Sequence, residues 1–407
     1  MIKKIKLNKM FNHQMSIVDK IDDNDINYIV MLCTRRFGKN FLINNVITKY
    51  AFDNEKYKIL YMSFNIDQRN NCFNDYLSMF EFSPLIKIIN RSNKNIIFKN
   101  GSSIQFRLGS LPSANGIRGK KFDMVILDEF SLYDRETWES IVSPTLATSS
   151  RPIVVFSSTP RGKNNLLYDF YLRGLSEENP NWVSFHYTCY DSPLINQKFI
   201  EEQRILLPDY VFRQEYLCEF IDDSSEVFSN LQLALDKPNT NNNNYYAGID
   251  VGLLNDYTVC TIINKDGCLI DYIRFTKVSL DEAANRLSEF LKKYKYPVCY
   301  IEINYESYIY ELLIQRNVSN ITRFRTTTPS KKKMIDNLIL KFQNKEISLS
   351  KYKLDNIIKN ELSSFTYTYN PKTNNISFHA RGTNHDDFVI SLALSFWSLN
   401  IGNVSWS

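Results

Sequence analysis

The 407-residue sequence has no apolar run of the roughly 18 residues that a membrane-spanning helix needs. Met1 to Lys9 carries four lysines, but no apolar signal core and no small-residue cleavage site follow, so neither a secretory leader nor an anchor is expected, and the expected compartment is the cytosol. Cysteine is sparse. The seven residues, at 33, 72, 189, 218, 260, 268 and 299, are odd in number, scattered and never spaced as C-x-x-C, which argues against a disulfide framework or a structural zinc site and predicts reduced thiols. Four histidines are too few and too scattered for a metal cluster of their own, although His385 stands beside Asp386 where it could tune an acidic site. Net charge is also small: 49 Lys plus Arg against 44 Asp plus Glu gives +5. That permits a polyanionic partner without the strongly basic signature of a dedicated nucleic-acid binder.

What is present is a globular composition, 43% hydrophobic and 23% charged, with 27 Phe and 25 Tyr. At about 150 residues per domain, this length predicts two or three domains. Residues 1–222 alternate β-type apolar runs with helical stretches. Tyr28–Cys33, Lys58–Met62, Met124–Leu127 and Ile153–Phe156 read as buried parallel strands. Asn95 to Leu108 reads as a hairpin turning on Asn100-Gly101, and residues 164–220 as mainly helical. Residues 223–244 are polar, lack periodicity and end in Pro238-Asn239-Thr240 and four asparagines, so they are expected to be a linker. Residues 245–407 form a second α/β unit, with strands at Tyr245–Asp250, Tyr257–Ile263, Cys268–Phe275 and Val298–Ile303. Its helices are expected at Leu280–Tyr294, Ser330–Asn344 and Asp386–Leu399.

The first chemical constellation lies in residues 1–222. The strand ending at Cys33 runs into Thr34-Arg35-Arg36-Phe37-Gly38-Lys39-Asn40 and then a helix. A phosphate-cradling loop needs this context, because backbone N–H groups and a helix N-terminus face the anion while one lysine, here Lys39, reaches the β- and γ-phosphates. An ordinary strand–turn–helix is the competing reading, since Cys33 replaces the first glycine of G-x-x-x-x-G-K-[ST] and Asn40 replaces the Mg²⁺-binding hydroxyl. Further along, Met124-Val125-Ile126-Leu127-Asp128-Glu129 is an apolar strand ending in two carboxylates. Asp128 would hold Mg²⁺ through water and Glu129 would orient or deprotonate the attacking water; the bland alternative is a solvated acidic turn. Ser157-Ser158-Thr159 supplies hydroxyls at the carboxyl end of a third strand, where Ser158 and Thr159 can sense a γ-phosphate.

The second constellation is acidic. Asp250 ends a strand, with Asp256 six residues later. Glu302 sits within an apolar strand, where a bare charge is costly to bury. Asp386-Asp387 opens an apolar helix. Each acid has a structural reading, above all the helix pair, since Asp at a helix N-terminus is an ordinary cap. Together they match the carboxylate set that two-metal phosphodiester hydrolysis needs, with two Mg²⁺ or Mn²⁺ ions. Adjacent helical residues point about 100° apart, so one of the pair should dominate, and Asp386 is expected to be that one.

In the order of these motifs the sequence resembles the large subunit of a tailed-phage terminase, over nearly its whole length. Asn100-Gly101-Ser102 and Gly116-Ile117-Arg118-Gly119 fall between the loop and Asp128-Glu129 as in that family. The resemblance implies a P-loop, RecA/ASCE-like ATPase domain with a lid subdomain at about 164–220, followed by a ribonuclease-H-like nuclease domain. It also implies that Gln14 contacts adenine and that the cofactor is ATP with Mg²⁺. Asp250, Glu302, Asp386 and Asp387 match the nuclease acids. The implied activity is ATP-driven translocation of double-stranded DNA into a procapsid and metal-dependent cutting of concatemers. The implied partners are double-stranded DNA, a portal protein and a terminase small subunit, with assembly as a homo-oligomeric ring on the portal or a monomer in isolation. The implied place is the host cytoplasm, with transient binding to the procapsid and no membrane contact. A cellular helicase-like nuclease and a nucleotide-dependent DNA clamp with little hydrolysis are the rival readings. The clamp is suggested by Asn40, an amide being a weaker Mg²⁺ ligand than a hydroxyl; Arg35 and Arg36 are placed to compensate by binding phosphate oxygens. Arg118 reads as an arginine finger or as a surface-loop arginine. Lys331-Lys332-Lys333 lies near a helix start, a poor place for cations unless a DNA backbone neutralises them, the alternative being a solvated charge run.

Overall fold

The computed structural model describes residues 10–221, 227–252, 256–303, 307–370, 375–382 and 384–402. The first nine residues, with their lysines, and residues 223–226 of the expected linker lie outside these. The chain divides into two compact units, residues 1–204 with 210–222 and residues 205–209 with 223–407.

The first unit opens with α1 (Asn12–Asp22), β1 (Tyr28–Cys33), α2 (Lys39–Asp53), β2 (Lys58–Ser63) and α3 (Ile66–Phe80). There follow β3 (Ile86–Asn90), β4 (Asn95–Phe98), β5 (Ser103–Leu108), the short α4 (Leu111–Ala114), β6 (Met124–Asp128) and β7 (Ile153–Ser158). Next come α5 (Leu166–Arg173), β8 (Trp182–Tyr187), α6 (Gln197–Leu206) and α7 (Asp209–Glu215). Eight strands form one sheet in the order β3-β4-β5-β2-β6-β7-β1-β8. It is parallel from β5 to β8, with an antiparallel flap at the β3 edge. Its central strands are continuously apolar because both faces are covered: Ile29, Met31, Met124 and Ile126 enter one core, and Val30, Leu32, Val125 and Leu127 the other. The sheet gathers the carboxyl ends of β1, β6 and β7 side by side, with Leu32 opposite Ser158 and Asp128 opposite Ser157.

Two stretches differ from expectation. The segment 164–220 holds helices α5, α6 and α7 but also a strand that was not expected: β8 pairs in parallel with β1 from Tyr28 to Cys33 and completes the sheet. Its Val183, Phe185 and Tyr187 pack against one core and alternate with Trp182, which packs against the other, Ser184 and the exposed His186, so the strand carries no continuous apolar run. Within 223–244, helix α8 (Leu231–Asp236) forms, and Val227, Phe228, Ala234 and Leu235 are buried. The Phe228 ring lies 4.8 Å from that of Phe342. A few well-spaced apolar side chains bury one face of this stretch, which its run of asparagines conceals.

The second unit continues with β9 (Tyr245–Asp250), β10 (Thr258–Asn264), β11 (Leu269–Phe275), α9 (Leu280–Lys293), β12 (Val298–Glu302) and α10 (Ser307–Gln315). Then come β13 (Ile321–Phe324), α11 (Thr328–Gln343), α12 (Asn356–Ser364), the hairpin β14 (Phe365–Asn370) with β15 (Asn375–Ala380), and α13 (Asp387–Gly402). The sheet runs β11-β10-β9-β12-β13, antiparallel across β11, β10 and β9 and parallel across β9, β12 and β13. Helix α13 lies hard against β9, because a Cβ on Gly248 would come within 2.2 Å of the Ser391 carbonyl oxygen. Small hydroxyls fill the seam: Ser391 donates to the Gly248 carbonyl at 2.9 Å and Ser398 to that of Ala247 at 2.7 Å. This close approach aligns the start of α13 with the end of β9, which is where the acids lie.

Candidate functional sites

In the first unit, the turn after β1 leads into α2 through Gly38, whose φ of +92° lies in the left-handed region. A Cβ there would meet Gln14 Nε2 at 2.8 Å. Gln14 is fully buried, accepts the Phe11 N–H on Oε1 at 3.1 Å, and points Nε2 at the carbonyls of Phe37 and Gly38, 3.4 and 3.5 Å away. Around it are aromatic rings that the sequence reading did not single out. His13 lies 4.7 Å from Phe37 and stacks at 5.6 Å on Phe11, and Phe37 stacks at 5.1 Å on Tyr187 of β8. Met10, Phe11, Asn12, His13 and Pro193 line a recess of 490 Å³ beside them. A flat, mostly apolar group with hydrogen-bonding edges fits such a wall.

Lys39 begins α2. Its Nζ lies 3.4 Å from the Cys33 carbonyl oxygen and 3.9 Å from Glu129 Oε1. Burial alone would lower its pKa, but Glu129 and Asp128 outweigh that and raise it, so the ammonium stays charged. Glu129 has a φ of +55° just past β6. Its carboxyl is pushed up by burial, against the pull of Lys39 and Arg161, which makes it a stronger base than an exposed glutamate. Asp128 is 5% exposed; Oδ2 accepts the Tyr61 hydroxyl at 3.0 Å, whereas Oδ1 is buried without a hydrogen-bond partner among the described residues. An orphaned oxygen on an acid that acts electrostatically on both Lys39 and Glu129 suits a divalent cation. Ser158 Oγ donates to the Thr159 carbonyl at 2.8 Å and lies 2.9 Å from Ser131 Oγ, and Thr159 is buried. Asn40 is half-buried in the first turn of α2.

The arginines are more dispersed. Arg35 is 71% exposed and pairs with Glu215 at 2.8 Å, and the exposed Arg36 has a φ of +65°. Arg118 is exposed and donates to Asn115 Oδ1 at 2.7 Å. Arg161, two residues after Thr159, acts on Glu129, and Arg35 does so more weakly. The signal of Arg161 in the sequence was only its position after the hydroxyl run.

In the second unit Ile249 of β9 is opposite Ile301 of β12, so Asp250 and Glu302 end neighbouring parallel strands. Burial, then Glu302, Asp387 and Asp386, hold the Asp250 carboxyl well above the usual range, with Lys331 opposing. Asp387 is 4% exposed; burial and then Asp256 and Glu361 push its pKa up to about 8. Its Oδ2 has no hydrogen-bond partner among the described residues. His385 Nδ1 stands 3.1 Å from Asp256 Oδ1 and 3.5 Å from Asp387 Oδ2, and these three side chains offer ligand atoms within 4.8 Å of one another. Four mutually repelling acids crowded in one place, one with an orphaned oxygen, fit divalent cations. Asp256 was noted in the sequence, but only folding makes it a neighbour of His385 and Asp387.

The lysine run is not a continuous basic face. Lys331 lies 3.5 Å from Asp386 Oδ2, Lys332 pairs with Asp336 one turn on, and Lys333 is exposed. Thr327 and Ser330 close a capping box that accounts for the helix start without any phosphate.

A sequence-family model described as the N-terminal part of the T4likevirus-type terminase large subunit matches residues 30–235, half of the chain. The terminase large subunit of Thermus virus P23-45 is 26% identical over 325 residues, covering 73% of this chain and 66% of that protein. The terminase large subunit of Escherichia phage T5 is 29% identical over 219 residues, covering 53% and 49%. The chain thus spans just under two thirds of the first relative and half of the second. A crystallised large terminase from a thermophilic bacteriophage shares the fold at a TM-score of 0.50 and 14% identity, over 97% of this chain and 99% of that one. No helix among the described residues is long and apolar enough to cross a membrane.

Proposed function

The chain belongs to the terminase large subunit family, and from that premise we propose that it is an ATP-driven translocase of double-stranded DNA joined to a metal-dependent DNA endonuclease. The observation that carries the proposal is the buried grouping of Lys39, Asp128 and Glu129, in which the ammonium of Lys39 lies 3.9 Å from Glu129 and the neighbouring Asp128 keeps one buried oxygen without a hydrogen-bond partner among the described residues. Lys39 binds the β- and γ-phosphates, with the backbone N–H groups of the loop and the start of α2. Gln14 reads the adenine edge, and Phe11 and His13 supply a surface for its ring. Glu129, made more basic by burial, orients the attacking water and accepts its proton. Ser158 and Thr159 report the presence of the γ-phosphate. Asp128 would hold Mg²⁺, which neutralises phosphate charge.

In the second unit Asp250, Glu302, Asp386 and Asp387 would hold two Mg²⁺ or Mn²⁺ ions, with Asp256 and His385 beside them. Bound there, such ions supply charge neutralisation and an acidified water for phosphodiester hydrolysis. Lys331 balances the cluster's negative charge, and the exposed Lys333 is the member of its run best placed for a DNA phosphate. The partners proposed are double-stranded DNA, a portal protein and a small subunit, in a ring on the procapsid in the host cytoplasm.

The test is phosphate release by the full chain in Mg²⁺ and ATP, with and without double-stranded DNA. Release stimulated by DNA is expected. Nucleotide binding without release would instead identify a nucleotide-dependent clamp.

A further inference from the structure

An aspartate at the start of a helix normally spends its carboxylate on the free N–H groups of the first turn. Helix α13 starts at Asp387 after Asp386, so either acid would be the ordinary cap. Neither does this: among the described residues no backbone N–H of α13 donates to the Asp386 or Asp387 carboxylate. The Phe388 N–H, in the position a cap would satisfy, donates to Glu361 Oε2 of α12 at 2.8 Å.

Glu361 is held for this task. It is 4% exposed, and its Oε1 lies 3.0 Å from Arg274 of β11. The Arg274 guanidinium lies 3.7 Å from the centre of the Tyr257 ring, which meets His385 edge-on at 5.0 Å. Helix α12 is itself tethered, because Asp355 caps its first turn and accepts the Tyr272 hydroxyl of β11 at 2.6 Å. A buried ion pair is weak evidence for stability, so its place against the start of α13 calls for another explanation.

We propose that Glu361, with Arg274 behind it, is a positioning residue that caps α13 from a neighbouring helix and so leaves the Asp386 and Asp387 carboxylates free for divalent cations. The inference rests on the metal reading of the acid cluster. Capping by Glu361 fixes the first turn of α13 against β9 while sparing the two aspartates from that task, as partners behind a metal site orient its ligands.

The test is Mn²⁺-dependent thermal stabilisation of the full chain, read as the Mn²⁺ concentration giving half the maximal rise in Tm. Glu361→Ala should raise that concentration by about 10- to 100-fold. Glu361→Met, which fills more of the volume, should do the same and serves if the alanine variant does not fold. Glu361→Gln keeps an acceptor for the Phe388 N–H and should stay within about threefold of wild type, on the same outer-partner logic. A merely structural glutamate predicts a lower Tm in chelator with an unchanged half-saturation point, and that result overturns the proposal. So does a glutamine variant as impaired as the alanine one. Asp250→Asn separates the two levels: if it keeps the full Mn²⁺ response, the metal reading fails, whatever Glu361 does.

Discussion

The ammonium of Lys39 and the carboxylate of Glu129 face each other at 3.9 Å, with side chains only 12% and 17% exposed. A pair at that separation is too long for a hydrogen bond, which leaves N–H donors of the ammonium for other acceptors. Lys39→Ala should therefore abolish ATP turnover while Mn²⁺-dependent cleavage of DNA by the full chain stays within about twofold, since the acid cluster belongs to the other unit. Phosphate release and plasmid nicking, measured on one preparation, check both halves.

Asn40 follows Lys39 where a metal-binding hydroxyl would stand. Replacing it by Thr should raise Mg²⁺-dependent ATP hydrolysis, because a hydroxyl is the shorter, stronger ligand. A lower rate at saturating Mg²⁺ would mean that the loop is built around the amide.

Gly38 has a φ of +92° and is closely overlaid by Gln14. Gly38→Ala should cost about 1–2 kcal/mol from the left-handed backbone alone, and the added methyl should also displace the Gln14 amide and weaken ATP binding. Denaturant midpoints and nucleotide titration together check this; a stability loss with unchanged ATP affinity would separate Gln14 from the nucleotide.

The sheet of the first unit was legible because buried parallel strands write themselves as apolar runs: Tyr28–Cys33 and Met124–Asp128 are strands close to the expected bounds. Strand β8 was not, since an edge strand with Ser184 and His186 has no such run, and neither was the packing of Phe228 within a polar stretch. For the sites, spacing revealed the acids and the lysine but not their partners. Tyr61, Arg161 and Glu361 lie 67, 32 and 26 residues from Asp128, Glu129 and Asp387 respectively, and only tertiary contact brings them close. Sequence likewise put Asp386 ahead of Asp387, yet Asp387 is the buried acid with an orphaned oxygen and Asp386 faces Lys331.

The acid cluster gives the sharpest expectation. If Asp250, Glu302 and Asp387 hold divalent ions, their mutual repulsion raises the free energy of the metal-free fold, and ion binding must stabilise it by linkage. The gain is about 2.7 kcal/mol at a hundredfold excess over Kd. Chelator should remove that gain from the wild-type chain. Asp250→Asn should abolish Mn²⁺-dependent cleavage and the Mn²⁺-dependent rise in Tm together, while stability in chelator is kept or increased, because a neutral group of the same shape replaces a buried acid crowded by three others. A hydrogen-bonding acid without a metal predicts the reverse: a loss of about 0.5–2 kcal/mol in chelator with cleavage intact. Between the helix acids, Asp387→Asn should be the more damaging, since its loss removes the buried ligand, whereas Asp386→Asn leaves Lys331 to approach the remaining carboxylates. Calorimetry of the three variants with and without Mn²⁺, beside plasmid cleavage, reads every one of these signs, and retained cleavage in Asp250→Asn would remove the nuclease assignment.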